Sequence, residues 1–336
     1  MPELKYVWCL NNNSIELSEY KDVIIVKRET FLWFYHILTA KVIITNRYLR
    51  GFLPYRKNQI IINTWHGGGA YKIVGVSNNS DISNRYWSKK TLKNIFPFAN
   101  KNTRYFISSC EVFSHVMVNS YCVSKEKFLS IGMPRNDIFF VNNNDIIISL
   151  KIKLGIPLDH GIVLYSPTYR GYDRLSEYNS VMALDIINLK NALKERFKNE
   201  FVCLYRYHYL FQKKIQLDDT INVSSYNDMQ ELLLISDVLI TDYSSSIWDF
   251  SLTLKPCFLF APDLDLYLSH DRGFYTPIEQ WPFPLAKTNE ELCKNIANFN
   301  QEEYYARVKK HHEVLGSYEQ GTATSQMTKL LQKIFE

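Results

Sequence analysis

The sequence predicts an α/β protein in which two doubly wound domains face each other across a cleft. Short apolar runs, typical of buried parallel strands, alternate with amphipathic segments of helical length along most of the chain. The apolar pattern breaks in a polar, asparagine-rich stretch at 142–145, which we interpret as a linker. We therefore expect an N-terminal domain over residues 1–144 and a C-terminal domain over residues 145–336.

Each series is typical of strands joined by helical crossovers, which are right-handed in parallel sheets. In the first series we expect strands at 22–27, 41–45, 59–65, 104–108 and 128–131, with helices at 29–39 and 111–119. In the second we expect strands at 162–165, 201–206, 221–223, 238–241 and 257–260, with helices at 182–197, 228–235 and 245–254. Ligands bind such sheets beyond the carboxyl ends of the strands, so the residues that follow each strand are candidates for a functional site.

Composition and charge exclude some classes of function. Hydrophobic residues make up 46% of the 336, which is enough for packed cores and excludes global disorder. The formal net charge of +5 fits an anionic small molecule or membrane surface but is too small to indicate nucleic acid. The six cysteines are scattered without a Cys-x-x-Cys pair, so we expect free thiols, a reducing cytosol and no metal site.

The N-terminal residues have neither the basic nor the apolar part of a secretory signal. The most apolar early stretch, 31–44, is interrupted by His36 and Lys41 and is too short to span a bilayer. We therefore expect a cytoplasmic protein that is soluble or peripheral to the membrane.

The most informative segment covers residues 239–250. Its β-branched run ends at Asp242, and three serines beginning with Ser244 and Ser245 then open an apolar, helix-compatible stretch. Unpaired backbone N–H groups and small hydroxyls at a helix N-terminus can bind a phosphate, which the helix dipole favours. A plain Ser or Asp N-cap explains the same residues, so this segment alone leaves both interpretations open.

A glycine-rich loop follows the third strand and runs from Trp65 through His66 to Lys72, with glycines at 67, 68 and 69. Contiguous glycines let the backbone approach a ligand and leave His66 with little steric cover, while Lys72 adds a positive charge. The spacing fits neither a dinucleotide fingerprint nor a P-loop. A functional role for His66 competes with that of a histidine that is merely hydrogen-bonded at a strand end.

Polar and basic residues follow other strands as well. The turn 132–137 presents Arg135, whose guanidinium can hold a phosphate at two points; a solvated surface arginine is the alternative. Phosphate-binding groups thus occur at four strand ends, which favours a nucleotide diphosphate held between two domains. These groups are Lys72, Arg135, Thr168 with Arg170, and Ser244 with Ser245; Arg206 and His208 end a further strand near the same edge.

In this order, the motifs resemble the CDP-glycerol glycerophosphotransferase family, whose enzymes prime and polymerise teichoic acids and related capsules. The resemblance extends from about Ile43 to the C-terminus. One departure is the loop after His66, where the family's commoner His-Gly-Thr-Pro-Leu-Lys is replaced by a glycine-rich form with one residue more. The matching segments are 64–67 with Lys72, 132–137, 166–170, 206–208, 240–245, 272–275 and 317–321.

The resemblance implies a GT-B-like fold and the transfer of glycerol phosphate, or a related alditol phosphate, from a CDP-alditol to a hydroxyl group, releasing CMP. The donor would be CDP-glycerol or CDP-ribitol and would bind to the C-terminal domain, residues 145–336. The acceptor would be a polyol-phosphate or lipid-linked glycan on the side of the N-terminal domain, residues 1–144. No cofactor or metal is implied, and the isolated Asp263-Leu264-Asp265 would be structural.

By family position His66 would be the general base. His208 would be a second catalytic histidine that acts on the diphosphate with Arg135, Ser244 and Ser245. Asp242 would position its turn or a ligand hydroxyl. The donor site would also include four further residues, which are Lys72, Thr168, Arg170 and Arg206.

Two other classes of function share these signals. A GT-B glycosyltransferase that uses a nucleotide sugar in surface polysaccharide synthesis has the same fold, and a nucleotide- or polyanion-binding module needs no catalytic base. Lipid-linked acceptors imply peripheral attachment at the inner face of the cell membrane. The basic and aromatic stretch 85–98, with Lys89 and Lys90, is the candidate contact, although a core helix with solvated lysines fits it equally.

Overall fold

The computed structural model describes residues 4–11, 22–47, 53–78, 89–170, 183–207 and 217–336. Over these ranges the chain forms parallel sheets with helices between most successive strands. The expected alternation of strands and helices is therefore confirmed, although most elements begin or end one to four residues from the expected positions.

The N-terminal half contains two parallel sheets. In the four-stranded sheet the strands β3 to β6 lie side by side in chain order, and β1 pairs with β2 in a separate two-stranded sheet. Strand β1 was not anticipated from the sequence. The elements are β1 (Tyr6–Leu10), β2 (Val23–Lys27), α1 (Phe31–Thr39), β3 (Val42–Thr45), β4 (Ile60–Asn63), α2 (Lys89–Asn100), β5 (Thr103–Ser108), α3 (Glu111–Tyr121) and β6 (Phe128–Ser130).

The C-terminal half is built on a six-stranded sheet that is parallel throughout, in the order β9-β8-β7-β10-β11-β12. Counted within this half, the order is 3-2-1-4-5-6, that of a doubly wound dinucleotide-binding sheet. The elements are α4 (Asn144–Lys153), β7 (Gly161–Tyr165), α5 (Ile186–Phe197), β8 (Phe201–Tyr205), β9 (Thr220–Asn222), α6 (Met229–Ile235), β10 (Val238–Thr241), α7 (Ser246–Ser251), β11 (Cys257–Phe260), α8 (Leu264–His270), β12 (Leu285–Ala286), α9 (Asn289–Ala297), α10 (Gln301–Leu315) and α11 (Ala323–Phe335).

The central strands of this sheet are uniformly apolar because both faces are covered. Every residue of β7, β10 and β11 is buried, as expected for parallel strands between two layers of helices. The winding reverses between β7 and β10, so the crevice beyond their carboxyl ends is the position at which such sheets bind ligands.

The asparagine-rich stretch 142–145 is the start of α4 rather than an open linker. The Asn142 side chain accepts a hydrogen bond from the Asn144 amide (3.1 Å), and the Asn143 amide group donates to the carbonyl of Val141 (2.9 Å). Asparagine side chains bond locally in this way at turns and helix starts, which explains their clustering. The boundary at 144/145 remains a prediction.

The last helix returns to the turn at 134–140, which precedes the expected boundary. The Asp137 carboxylate accepts hydrogen bonds from the backbone N–H groups of Ala323 (3.1 Å) and Thr324 (2.6 Å) at the start of α11. At the other end of this helix, the Lys41 ammonium lies 4.7 Å from the centre of the Phe335 ring. The C-terminus of the chain therefore packs against its N-terminal half.

Candidate active site

Two of the predicted motifs lie side by side at the point where the winding reverses. Ser166, directly after β7, donates its backbone N–H to the carbonyl of Ile240 in β10 (2.9 Å). The carboxylate of Asp242 accepts from the backbone N–H of Thr168 at 2.9 and 3.1 Å. Asp242 thus fixes the turn after β7, whereas the sequence had suggested that it positions its own turn or a ligand hydroxyl.

Arg170 holds this edge of the sheet together instead of offering its charge to a ligand. Its side chain is 1% exposed, and its guanidinium donates to Asp242 (2.8 Å) and to both oxygens of Asp263 (2.8 and 3.0 Å). Burial opposes the charge, but Asp242 and Asp263 outweigh that effect and raise the pKa of Arg170. The expectation that Arg170 binds phosphate is corrected, because its donors are already paired; the structural role expected for Asp263 agrees with this geometry.

The glycine loop of the N-terminal half lies directly on α7. A Cβ atom at Gly67 would stand 3.2 Å from Ser245 Oγ, and one at Gly68 only 2.0 Å from Trp248 Cδ1. Glycine is required at position 68 because the backbone is too close to the indole for any side chain. This contact brings His66 beside the serines that begin α7.

The two serines differ in their local hydrogen bonding, and the phosphate-binding role stays a prediction. Ser244 Oγ accepts from the backbone N–H of Ser246 (3.2 Å), as a local cap does. Ser245 occupies the N-cap position, yet its hydroxyl makes no capping bond. Both side chains are half-buried and lie where the glycine loop meets the sheet edge.

His66 is held in one tautomer by the backbone. Its Nδ1 lies 2.9 Å from the carbonyl oxygen of Asn46, an acceptor, so Nδ1 carries the proton and Nε2 keeps its lone pair. The ring stacks on Trp65 at 4.5 Å. Desolvation lowers the pKa of His66, an effect that Arg47 and Arg135 reinforce and that the bond to Asn46 opposes. The lowered pKa favours the neutral imidazole near pH 7, and the residue keeps access to solvent.

Trp65 has a positive φ of 54°, which is strained for a bulky residue. Its backbone N–H donates to Asn63 Oδ1 (2.8 Å), which holds the strained turn in place. Strained residues persist where the surroundings over-determine them, often at functional sites.

Lys72 joins the glycine loop to another of the family-like segments. The backbone around Lys72 pairs with Phe274 in an antiparallel bridge, and the Ile73 N–H donates to Gly273 (2.9 Å). Burial lowers the pKa of the Lys72 ammonium to about 8; Arg272 reinforces the shift, whereas Asp242 and Asp271 oppose it. The ring of Phe274 lies 5.7 Å from that of Tyr243, two residues after the end of β10, so Lys72 is held near the switch point of the C-terminal sheet.

Arg135 makes a two-point ion pair with a residue that the sequence analysis did not single out. Its Nε and Nη2 donate to the two carboxylate oxygens of Asp249 in α7, each at 3.1 Å. Burial disfavours the Arg135 charge, but Asp249 outweighs that effect and raises its pKa. The expectation that Arg135 binds a phosphate is wrong for Nε and Nη2, because Asp249 occupies both. The side chain is 28% exposed, and its Nη1 lies outside the ion pair.

Glu319, in the family-like C-terminal segment, connects the same turn to α7. Its carboxylate accepts from the backbone N–H of Met133 (3.0 Å), from Asn136 Nδ2 (3.1 Å) and from Trp248 Nε1 (3.0 Å). Burial raises the pKa of Glu319 to about 7, although these three hydrogen bonds oppose the shift. The resemblance of 317–321 to a family motif was the available signal, but it gave no role to Glu319.

Two polar atoms at the carboxyl edge of the C-terminal sheet are buried without a partner in the described part of the chain. They are Thr168 Oγ1, after β7, and Arg206 Nη1, after β8. Burial lowers the pKa of Arg206, and Asp228 opposes this. Buried donors without partners are costly, so such atoms indicate a place where a ligand completes the bonding. His208 lies outside the described residues.

Among the described residues, no group of three or more His, Cys, Asp or Glu side chains is placed to hold a metal ion. The transfer without metal or cofactor remains a prediction. No helix in the described ranges is long and apolar enough to cross a bilayer.

Comparison with known proteins identifies the family. Residues 1–334 match the family model described as CDP-Glycerol:Poly(glycerophosphate) glycerophosphotransferase. A teichoic acid poly(glycerol phosphate) polymerase of Bacillus spizizenii is 32% identical over 90% of this chain and 77% of its own length. A teichoic acid glycerol-phosphate transferase of Staphylococcus aureus is 29% identical over 99% of this chain and 86% of its own length.

The solved structure of the wall teichoic acid polymerase TagF, in a variant soaked with CDPG, superimposes on this chain with a TM-score of 0.83. The two share 26% identity over 99% of this chain and 81% of the polymerase chain. The GT-B-like fold expected from the sequence is thereby confirmed.

Proposed function

Because the chain belongs to the CDP-glycerol:poly(glycerophosphate) glycerophosphotransferase family, we propose that it transfers glycerol phosphate from CDP-glycerol to a terminal hydroxyl of a teichoic acid polymer, releasing CMP. The observation that carries this proposal is the packing of the His66 loop on α7. It places a histidine with a free Nε2 beside the carboxyl edge where doubly wound sheets bind nucleotides.

The donor fits the switch point between β7 and β10. Thr168 Oγ1 and Arg206 Nη1 are buried without partners in the described part of the chain, and Ser245 Oγ makes no capping bond. These groups, with the Lys72 ammonium, would bond to the diphosphate and neutralise charge on the departing CMP. Arg135 would contribute through Nη1, while Asp249 fixes its orientation.

In the chemical step, the acceptor hydroxyl attacks the phosphorus that carries glycerol and the bond from that phosphorus to the CMP oxygen breaks. His66 Nε2 takes the proton of the attacking hydroxyl. Phosphoryl transfer requires chiefly alignment and charge neutralisation, and the bond between Nδ1 and Asn46 fixes the ring for this task.

The test is release of CMP from CDP-glycerol in the presence of a glycerol-phosphate-terminated acceptor. His66→Ala should lower turnover by about 10²–10⁴-fold with the fold intact. His115→Gln is a matched control, because His115 is an exposed histidine on α3 paired only weakly with Glu111 (3.9 Å). A His66→Ala enzyme within tenfold of the wild type would remove His66 from the role of base.

The pH profile gives an independent test of the base. Since desolvation lowers the pKa of His66, the apparent pKa of the acid limb in the pH profile of kcat/KM should lie below the ordinary histidine value of about 6.5. An acid limb above that value would contradict the environment described for His66.

Parallel incubations with CDP-glycerol, CDP-ribitol and UDP-sugars separate the rival functions. Turnover with CDP-ribitol alone would show that the donor carries ribitol instead of glycerol, while the type of reaction would stay as proposed. Turnover with a UDP-sugar alone would favour a glycosyltransferase, and donor binding without turnover at any acceptor would favour a binding module.

We also propose that the acceptor is lipid-linked and that the protein contacts the membrane surface. In α2, Lys90 and Lys93 are exposed and Phe98 is 56% exposed, which suits a headgroup contact, whereas Phe96 packs edge-on against Tyr121 at 4.9 Å. Residues 85–88 of the candidate stretch lie outside the described residues. Flotation with anionic liposomes, comparing the wild type with Lys90→Glu and Lys93→Glu, tests the contact; equal flotation would contradict it.

A further inference from the structure

A cavity of about 800 Å³ lies in the N-terminal half, and the donor site described above does not use it. Its wall includes residues of β1, α1 and β3, and it reaches Asn46, Arg47 and Thr64 at the carboxyl ends of β3 and β4. The volume falls in the upper part of the range for small-molecule sites.

The cavity comes close to the proposed catalytic base through two of its lining residues. Asn46, which lines it, supplies the carbonyl that bonds to His66 Nδ1 at 2.9 Å, and Thr64 lies two residues before His66. Arg47 directly follows Asn46 in the chain and also lines the cavity. An occupant of the cavity would therefore present one end to His66.

The charges of the wall favour an anionic occupant. Along the described wall from Lys5 to Thr64, the cations Lys5, Arg28 and Arg47 line the cavity and no aspartate or glutamate does. None of these three cations has a carboxylate at ion-pair distance among the described residues. Unpaired cations beside a site attract and bind phosphate groups.

The position of the cations suits a chain with several charges. Arg47 follows β3 directly after Asn46, which bonds to His66, and Arg28 follows β2 at the carboxyl end of the two-stranded sheet, whereas Lys5 precedes β1 at the opposite end of that sheet. Since β1 has five residues, these ends are about 17 Å apart. Aromatic side chains that line the cavity, Trp8 and Tyr35, offer apolar surface between the charged ends.

We propose that this cavity binds the growing polyol-phosphate chain, with Arg47 on the phosphodiester nearest the attacking hydroxyl and Arg28 and Lys5 on preceding repeats. This inference rests on the proposed function, which supplies a polyanionic acceptor. It assigns Arg47 as the residue that positions the acceptor terminus against His66, and it makes recognition of the acceptor depend on several repeats.

The test measures the acceptor KM for oligomers of one, two and several glycerol-phosphate repeats. Arg47→Ala should raise this KM by about tenfold for all acceptors, the loss of one charged hydrogen bond. Arg28→Ala should raise it for the longer oligomers only. The KM for CDP-glycerol should stay unchanged in both, as should all constants in the control Lys57→Ala, an exposed lysine that is not part of the described cavity wall.

The wild-type enzyme separates the failure of this inference from failure of the proposed function. If the wild type turns over and both variants keep its acceptor KM at every length, the inference is overturned and the function stands. If the wild type shows no turnover, direct binding of a poly(glycerol phosphate) oligomer still decides. If Arg47→Ala binds the oligomer about tenfold more weakly than the wild type, the result supports the cavity. If the two proteins bind the oligomer with equal affinity, the inference is overturned.

Discussion

The contact between Gly68 and Trp248 gives the sharpest test of how the two halves form one site. A methyl group at position 68 would lie 2.0 Å from Trp248 Cδ1, whereas ordinary contacts begin at 3.4 Å, so the loop must move by about 1.4 Å (3.4 − 2.0). Trp248 cannot yield, because its ring is fully buried, packs 4.6 Å from His312 and donates from Nε1 to Glu319.

A displacement of this size moves His66, two residues away, relative to the donor site. Misplacement by 1 Å costs about 10²-fold in rate, so Gly68→Ala should lower kcat/KM by about 10²-fold or more. Overpacking should also lower the free energy of unfolding by about 1–3 kcal/mol. Initial rates of CMP release and urea denaturation measure the two effects separately.

Two glycine variants calibrate this experiment. In Gly67→Ala the new methyl group would lie 3.2 Å from the movable hydroxyl of Ser245, so kcat/KM should fall by less than tenfold. Gly155→Ala has free space but a φ of +68°, so it should cost about 1 kcal/mol of stability and no activity. A folded Gly68→Ala enzyme with wild-type kcat/KM would refute the reasoning, as would equal losses at positions 67 and 68.

Three further predictions concern the charged groups around the site. Arg170→Ala should lower the free energy of unfolding by about 3–5 kcal/mol in urea titrations, since two buried carboxylates lose their cation; unchanged stability with weakened donor binding would contradict the structural role. Asp249→Asn should lower the free energy of unfolding by about 1.5–3 kcal/mol, because it weakens the ion pair with Arg135. An unchanged midpoint of urea unfolding would show that the pair contributes nothing to stability. Burial lowers the pKa of His311 and His312 to about 4. At pH 5 the unfolded chain therefore binds protons that the native protein does not bind. Each histidine should lower the free energy of unfolding by about 2 kcal/mol between pH 7 and pH 5. His312→Gln should abolish about half of that difference, and the same pH dependence as the wild type would exclude this histidine as its source.

The sequence predicted the strands that carry the donor site because they are buried on both faces. The residues of β7 and β10 form apolar runs without polar interruption, and polar residues begin where each strand ends. Strand β1 was missed because Tyr6 and Trp8 are exposed and its alternation is irregular. The short α7 was expected to be longer, since its apolar residues continue beyond Ser251 into turns.

The roles of the arginines could not be predicted from their positions alone. Arg170 and Arg135 both follow strand ends and both looked able to bind phosphate. Their partners, Asp263 and Asp249, are 93 and 114 residues away along the chain. A sequence shows which residues can carry charge, whereas the pairing that neutralises that charge depends on the three-dimensional fold.

Trp248 explains why a site divided between two halves of the chain behaves as one unit. Its ring fixes the glycine loop at Gly68, and its Nε1 donates to Glu319, which also binds the turn of Met133 and Asn136. The base loop therefore connects to the Arg135 turn and the C-terminal segment through Trp248 and Glu319. Movement of the C-terminal segment would displace Glu319 first and release both the Arg135 turn and the indole that supports the base. The C-terminal motif thus supports the loop of the proposed base and the Arg135 turn through packing and hydrogen bonds.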